Sequence, residues 1–188
     1  DIGQAMRNLW IVNMLQQAFG EEIKFTNAIF GYSMLYPYTD NYLDSIEVNK
    51  DKKIEFNNRF TKRLGGEKII ANNYHEEQVY RLVQLIEDDF DRENYPEVYR
   101  SLKLIHSAQI NSLRQQEYNS IPYEKDILGI SIEKGGASVI ADGNLIRGEM
   151  TKNEEMFSCG YGFLLQLGDD LQDIKDDLKN DHITIMSQ

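Results

Sequence analysis

Aspartate residues are concentrated in one short segment near the end of the printed sequence. Residues 169–181 contain six aspartates and two lysines. Asp169, Asp173 and either Asp176 or Asp177 are three or four residues apart, which places their carboxylates on one face of a helix. Like charges at this spacing destabilise a helix, and Asp is a poor helix former outside the first turn. From spacing alone, the pattern predicts a metal site and a solvated acidic face equally well.

A second acidic pair lies far upstream, in the segment 36–44. Asp40 and Asp44 are four residues apart at the end of an otherwise apolar helical pattern. Two carboxylate pairs on separate apolar helices can face each other across a helical bundle. Oxygen ligands of this kind suit Mg²⁺, which tends to bridge carboxylates to substrate phosphates. The two segments together predict a Mg²⁺ site.

The elements that carry these residues read as helices. Apolar residues recur at helical spacing, strand-like alternation is nearly absent, and the chain contains only three prolines. We predict helices over residues 9–19, 23–46, 76–90, 98–114, 125–145 and 151–179. Residues 47–75 are polar and lysine-rich, which predicts a long surface loop with at most one short helix. The predicted fold class is all-α, in one domain spanning residues 1–188.

Three local signals refine this helix assignment. Pro37 should kink the second helix because proline removes a backbone donor. Thr151-x-x-Glu154 is a capping-box sequence that opens the last helix. We expect the pair Gly135-Gly136 to break the fifth helix, and residues 117–123 to form a connection.

Composition excludes several classes of protein. The single cysteine, Cys159, excludes an intrachain disulfide framework and a cysteine-based zinc site, and a cytoplasmic setting is the simplest interpretation. A net charge of −11 argues against nucleic-acid binding. No apolar run is long enough to span a bilayer, so no transmembrane segment is expected. Because the sequence starts without Met, we expect it to be a fragment of a longer chain.

Four segments, taken in order, resemble the class I isoprenoid synthases, which include polyprenyl diphosphate synthases, squalene and phytoene synthases, and terpene cyclases. Asp40–Asp44 is similar to the first aspartate-rich motif of that family, DDxxD or DxxxD. Residues Phe163–Asp173 are similar to the second motif, F-x-x-Q-x-x-DDxxD. Residues Ala108–Leu113 are similar to the G-Q-x-x-D-L stretch, with Ser112 in place of the acid. Lys134 stands where the family has Lys-Thr.

The resemblance implies an α-helical bundle around an apolar cavity, with three Mg²⁺ ions and the diphosphate of an allylic prenyl substrate at its mouth. The implied metal ligands are Asp40, Asp44, Asp169, Asp170 and Asp173, with Asp177 in support. The implied substrate-binding residues are Lys134, Arg114, Gln109, Gln166 and Arg63. Asp40, Asp44, Asp169, Asp173 and Lys134 would be the catalytic residues.

The reaction that follows ionisation of the substrate is left open by the sequence. Chain-elongating members of the family carry Arg-Arg-Gly after the first motif, and that tripeptide is absent here. Elongation, head-to-head condensation and cyclisation therefore all remain, and a homodimer is compatible with each. The alternative is a non-catalytic helical homologue that acts as a partner or regulatory subunit. Three departures from the family pattern favour it: Asn41 in place of the second Asp of DDxxD, Ser112 in place of the acid of G-Q-x-x-D-L, and the missing Arg-Arg-Gly.

Overall fold

This computed structural model describes residues 2–45, 47–116 and 124–187, and the regular secondary structure in these ranges is entirely helical. Its helices are α1 (Ile2–Ala18), α2 (Asn27–Asp44), α3 (Lys50–Leu64), α4 (Tyr74–Asp89), α5 (Pro96–Ser112), α6 (Ile127–Arg147) and α7 (Lys152–Lys179), with a short 3-10 helix at Leu113–Gln116. No strand occurs in the described ranges, so the all-α prediction is confirmed for them. The connection predicted at residues 117–123 lies outside these ranges, and so does Ile46, the last residue of the predicted second helix.

None of the helices in the described ranges is both long enough and apolar enough to cross a membrane.

Side-chain caps fix where several helices begin. The Thr26 side chain accepts a hydrogen bond from the backbone N–H of Ile29, so α2 starts four residues later than the predicted start at Ile23. At α7, Thr151 and Glu154 form the predicted capping box, with each side chain bonding the other's backbone N–H. Pro96 lies in the first turn of α5, as predicted.

Helix α3 corrects the prediction of a long surface loop over residues 47–75. It extends for 15 residues, and the Asn49 side chain caps its first turn by accepting from Lys52 N–H. Phe56, Phe60 and Leu64, which are four residues apart, are buried on its inner face. The lysine-rich outer face hid this stripe in the sequence, although the spacing itself is helical.

The helices pack around one apolar core. Helix α2 contacts α1 and α4, while α6 lies between α5 and α7 and also touches α1 and α2. Buried core residues come mainly from α2, α3, α4 and α5, and include Tyr32, Phe60, Val83, Ile86 and Leu102. The helices that carry the two aspartate motifs are thereby held on either side of α6.

Helices α6 and α7 approach each other at two glycines. A Cβ atom on Gly135 would lie closer than 3.0 Å to the Gly162 carbonyl oxygen, and one on Gly162 would be equally close to the Gly135 carbonyl oxygen. Helix α6 runs unbroken through Gly135 and Gly136, so the predicted break at these residues is wrong. These glycines allow close helix packing rather than interrupting the helix.

The outer end of α2 is supported by an aromatic stack. The ring of His75, at the start of α4, stacks on Tyr42 at 4.0 Å and on Tyr38 at 4.7 Å, and meets the edge of Phe56 at 5.0 Å. Burial lowers the pKa of His75 to about 4, so the imidazole is neutral at pH 7. The stack joins α2, α3 and α4 behind the segment that carries Asp40 and Asp44.

Alanine substitutions at two glycines of α7 test whether Gly162 is needed for close packing against α6. We expect Gly162→Ala to lower the free energy of unfolding by about 2 kcal/mol or more, because the new methyl group overlaps the α6 backbone. Gly160→Ala is the matched control: a Cβ there meets open space, so the variant should gain up to about 1 kcal/mol from helix propensity. Urea unfolding followed by circular dichroism measures both. Equal effects of the two substitutions would contradict the packing assignment.

Candidate functional site

The residues of the two aspartate motifs meet at a cavity of about 600 Å³ lined by α1, α2, α6 and α7. Its charged lining residues are Arg7, Asp40, Lys134, Asp169 and Asp173. Its apolar lining includes Trp10, Ile11, Pro37, Leu164 and Leu165. A charged region next to an apolar wall suits an amphiphilic ligand with a charged head and a hydrocarbon chain.

Lys134 connects the two motifs electrostatically. Its ammonium group lies 3.2 Å from Asp40 Oδ1, and both side chains are largely shielded from solvent, at 13% and 17% exposure. Burial acts to lower the pKa of Lys134, but the nearby Asp40, Tyr36 and Asp44 raise it overall, so the lysine stays charged. Its positive charge acts to lower the pKa of Asp44 and of Asp169, although other effects raise both values overall. Lys134 therefore lies within electrostatic reach of both motifs, as its predicted role requires.

Asp169 is paired with a residue that the sequence analysis missed. Arg7 Nη1 donates to Asp169 Oδ1 at 3.0 Å across the cavity mouth. Burial and the neighbouring Asp173 carboxylate raise the pKa of Asp169 above its ordinary value despite this pairing. Pairing with Arg7 therefore only partly offsets the effects of burial and of Asp173 on the pKa of Asp169.

Asp44 lies beside the mouth but does not line the cavity. Gln116 Nε2 donates to Asp44 Oδ1 at 3.0 Å. Burial and the neighbouring Asp40 carboxylate raise the pKa of Asp44, whereas Lys134 and His182 lower it. The two acids of the first motif therefore repel each other in the absence of a further cation.

Asp170 and Asp177 do not line the cavity. Gln166, which does line the cavity, donates from Nε2 to Asp170 Oδ1 at 2.7 Å. Asp170 Oδ2 is buried and has no hydrogen-bond partner among the described residues. Asp177 accepts from Thr184 Oγ1 at 3.3 Å and lies 3.4 Å from His182 Nδ1, so it anchors the segment after α7.

Gln109 lies behind the first motif rather than in the cavity. Its Nε2 donates to the Tyr36 carbonyl oxygen at 3.2 Å, and its Oε1 accepts from Thr39 Oγ1 at 3.3 Å. The side chain is buried, at 3% exposure. Gln109 therefore ties α5 to the turn of α2 that precedes Asp40.

The structure does not bring Arg114 or Arg63 to the cavity. Arg114 is exposed on the 3-10 helix, 3.5 Å from Asn111 Oδ1. Arg63 forms a two-point ion pair with Glu87, at 2.6 and 2.5 Å, on the side where α3 meets α4. Arg7 occupies the position at the mouth that these arginines were expected to fill.

A polar network lies next to the cavity wall, deeper in the bundle than Lys134. Asn8, which lines the cavity, donates from Nδ2 to Asp142 Oδ1 at 2.9 Å and to Ser33 Oγ at 3.1 Å. Asp142 is fully buried, and its Oδ2 has no hydrogen-bond partner among the described residues. Burial raises the pKa of Asp142 well above its ordinary value. Burial therefore favours the protonated form of this carboxyl group.

The sequence held weak signals for these additional residues. Arg7 and Asn8 lie within the apolar periodicity of α1, and Asp142 is an acid inside the apolar stretch 137–146. A polar residue on a buried helical face calls for a partner. The partners come from other helices, so only the tertiary structure identifies them.

The carboxylates at the mouth form a donor set that fits Mg²⁺. They are hard oxygen ligands of the kind that Mg²⁺ prefers. Burial, together with a neighbouring carboxylate, raises the pKa of Asp44 and of Asp169. As the side chains stand, no three His, Cys, Asp or Glu groups in residues 2–45, 47–116 and 124–187 are close enough to hold an ion. Asp40 and Asp169 are turned to Lys134 and Arg7 instead.

Asp142 gives a prediction about the dependence of stability on pH. The unfolded chain ionises this residue above pH about 4, whereas the folded protein keeps it protonated to higher pH. The folded state then binds more protons, so this residue lowers stability as pH rises. We expect Asp142→Asn to become progressively more stable than the wild type between pH 4 and 7, by up to about 1.4 kcal/mol per pH unit. Urea unfolding at pH 4, 5.5 and 7 measures the difference, and a difference independent of pH would contradict the assignment.

A scan of the sequence against protein-family models and searches of curated proteins and solved structures found no match.

Proposed function

We propose that the protein is a Mg²⁺-dependent class I isoprenoid synthase that ionises an allylic prenyl diphosphate. The observation that carries the proposal is the cavity itself. Carboxylates from α2 and α7, with Lys134 between them, border a space whose remaining wall combines apolar residues (Trp10, Ile11, Pro37, Leu164 and Leu165) with polar ones such as Gln4, Asn8 and Gln172. The proposed metal ligands are Asp40, Asp169 and Asp173, which line the cavity, and Asp44 beside its mouth, with Asp177 supporting the end of α7.

The proposed step breaks the bond between C1 of the prenyl chain and the diphosphate oxygen. The bonding electron pair leaves with the diphosphate, and an allylic carbocation remains in the cavity. Bound Mg²⁺ would neutralise the negative charge that develops on the departing diphosphate. No proton transfer is needed for this step.

Lys134 and Arg7 are the proposed diphosphate-binding residues. Each is already at the mouth, and each is paired with an aspartate of one motif. A bound metal ion would take over the carboxylates of Asp40 and Asp169, which frees the two cations for the oxygens of the diphosphate. The ammonium group of Lys134 stays charged because its pKa is raised, so it can act on the leaving group throughout the neutral pH range.

The apolar wall would receive the hydrocarbon chain and shield the cation from water. Trp10 and Leu164, which line this wall, are 62% and 64% exposed in the free protein. A prenyl chain bound there would cover both side chains. The indole ring can also stabilise a nearby positive charge through its face.

The arginines after the first motif bear on the choice of reaction. Arg59 pairs with Glu76 and Arg63 with Glu87, so both are committed to ion pairs outside the cavity. The cations that line the cavity in the described ranges are Arg7 and Lys134. This arrangement favours condensation of allylic substrates or cyclisation over elongation, which needs a second site for isopentenyl diphosphate.

The alternative is a non-catalytic helical homologue that acts as a partner or regulatory subunit. The ion pairs of Asp40 and Asp169 favour it, because the two carboxylates are already neutralised in the free protein. The two proposals differ in whether Mg²⁺ and a prenyl diphosphate displace these pairs.

Substitution of the second motif tests the proposed activity. We expect Asp169→Ala and Asp173→Ala each to abolish Mg²⁺-dependent release of diphosphate from geranyl, farnesyl and geranylgeranyl diphosphates, because each removes a ligand at the mouth. Helicity, measured by circular dichroism, should be unchanged. Mass spectrometry of the organic product, with and without isopentenyl diphosphate, distinguishes elongation from condensation or cyclisation.

Asp176→Ala is the matched control for this experiment. Asp176 is an exposed aspartate on the same helix and does not line the cavity. This variant should keep wild-type turnover. Full activity of the Asp169 and Asp173 variants would contradict the proposed function, and so would a wild-type protein that neither releases diphosphate nor binds Mg²⁺.

Trp10 offers a direct measurement of binding. It is the only tryptophan of the sequence. We expect an unreactive prenyl S-thiolodiphosphate to shift the Trp10 emission to shorter wavelength when Mg²⁺ is present, because the chain removes the indole from water. Asp169→Ala should bind the analogue at least tenfold more weakly. An emission spectrum unchanged by saturating analogue and Mg²⁺ would contradict binding at this wall.

A further inference from the structure

The network of Asn8, Ser33 and Asp142 has no part in binding the diphosphate. Asp142 follows Lys134 by eight residues on α6, which places it about 12 Å further along the helix axis. Asn8 reaches the cavity from α1, while Ser33 belongs to α2. Three helices thus contribute polar groups next to the part of the cavity remote from Lys134.

The hydrogen bonds of this network fix the orientation of the Asn8 amide. Both hydrogens of Nδ2 are donated to residues that do not line the cavity, one to Ser33 Oγ and one to Asp142 Oδ1. The amide oxygen is therefore the atom of Asn8 that remains for a molecule in the cavity. A carbonyl oxygen carries partial negative charge, and a fixed dipole in a water-poor site acts strongly on a positive charge.

Burying these groups has a thermodynamic cost that an apolar contact would avoid. Asp142 is 0% exposed and, among the described residues, its Oδ2 has no hydrogen-bond partner, which destabilises the folded state. Burial disfavours the charged form of this carboxyl group. An uncharged carboxyl group holds Asn8 without placing a full negative charge, which would trap a carbocation, beside the reacting chain.

We infer that Asn8, held in place by Asp142 and Ser33, is a specificity-determining contact that stabilises positive charge on the prenyl chain at the end of the cavity remote from Lys134. The inference rests on the proposed function, since it concerns the cation that ionisation produces. Asn8 forms no bond in this step. Asp142 and Ser33 are positioning residues that act through it.

The test compares two unreactive prenyl S-thiolodiphosphates of the same shape. One is all carbon, and the other carries a protonated tertiary amine in place of an inner branching carbon. Both are titrated with Mg²⁺ present, and Trp10 emission reports binding. We expect the wild type to bind the ammonium analogue about tenfold more tightly than the carbon analogue, because the Asn8 oxygen faces its charge.

Variants of the network identify the source of this preference. The double variant Asn8→Leu/Asp142→Leu replaces both polar partners by apolar groups, which avoids leaving one of them buried and unpaired. Its preference for the ammonium analogue should fall to about one. Asp142→Asn keeps an oxygen to accept from Asn8 and should retain the preference. Asn13→Leu, on the exposed side of the same helix, is the matched control and should also retain it.

The outcomes separate this inference from the proposed function. Loss of the preference in the double variant, with retention in Asp142→Asn and Asn13→Leu, supports the inference. A folded double variant that keeps the preference overturns it, as does a wild type that shows no preference or binds neither analogue. A wild type that releases diphosphate from prenyl diphosphates but shows no preference leaves the proposed function intact. A wild type with the preference but no diphosphate release rejects the proposed reaction and keeps the contact.

Discussion

The distance between α6 and α7 is set by contact of one backbone with the other. Because Gly135 and Gly162 carry no side chains, each lies against the carbonyl oxygen of the other, and no larger residue fits either position. Lys134 immediately precedes the first of these glycines, and Asp169 follows the second by two helical turns. The close approach therefore places the lysine beside the second aspartate motif. If either glycine carried a side chain, α7 would move away from α6, and Lys134 would no longer lie beside the second aspartate motif.

Charge balance is the second constraint on the site. The charged residues that line the cavity are three aspartates, Asp40, Asp169 and Asp173, and two cations, Arg7 and Lys134. The Arg7–Asp169 pair is open to solvent, with side chains 61% and 48% exposed, whereas the Lys134–Asp40 pair is largely shielded. The exposed pair is readily exchanged, since an ion pair near water contributes little net free energy. The arrangement is thus suited to a change of partners when a divalent cation and a polyanion arrive together.

Local patterns in the sequence predicted most of the helices but only part of the site. The caps at Thr151 and Pro96 and the apolar periodicity of α4 and α5 depend on neighbours along the chain, so they could be recognised. Helix α3 was missed because its charged outer face outweighed the stripe of Phe56, Phe60 and Leu64. The break expected at Gly135-Gly136 was wrong because glycine in a helix also serves close packing, and only the facing helix distinguishes the two roles.

The same limit applies to the candidate site. Asp40, Lys134, Asp169 and Asp173 were singled out in the sequence, and the structure brings them to one cavity. Arg7 and the Asn8–Asp142 pair could not be identified, because their partners are more than 130 residues away along the chain. Arg63 and Arg114 were selected by sequence proximity to the motifs, whereas the folded chain places them on other surfaces.

The aromatic stack behind α2 makes the stability of the fold depend on pH. The pKa of His75 is lowered to about 4, and so is that of His106, which is buried against Phe60. An unfolded chain takes up protons on both imidazoles below pH about 6.5, whereas the folded protein resists protonation until about pH 4. Stability is therefore lost progressively as the medium is acidified through this interval. Mild acid would loosen the outer side of the helix that carries Asp40 and Asp44, so the scaffold itself contributes to the acid limit of any activity at the cavity.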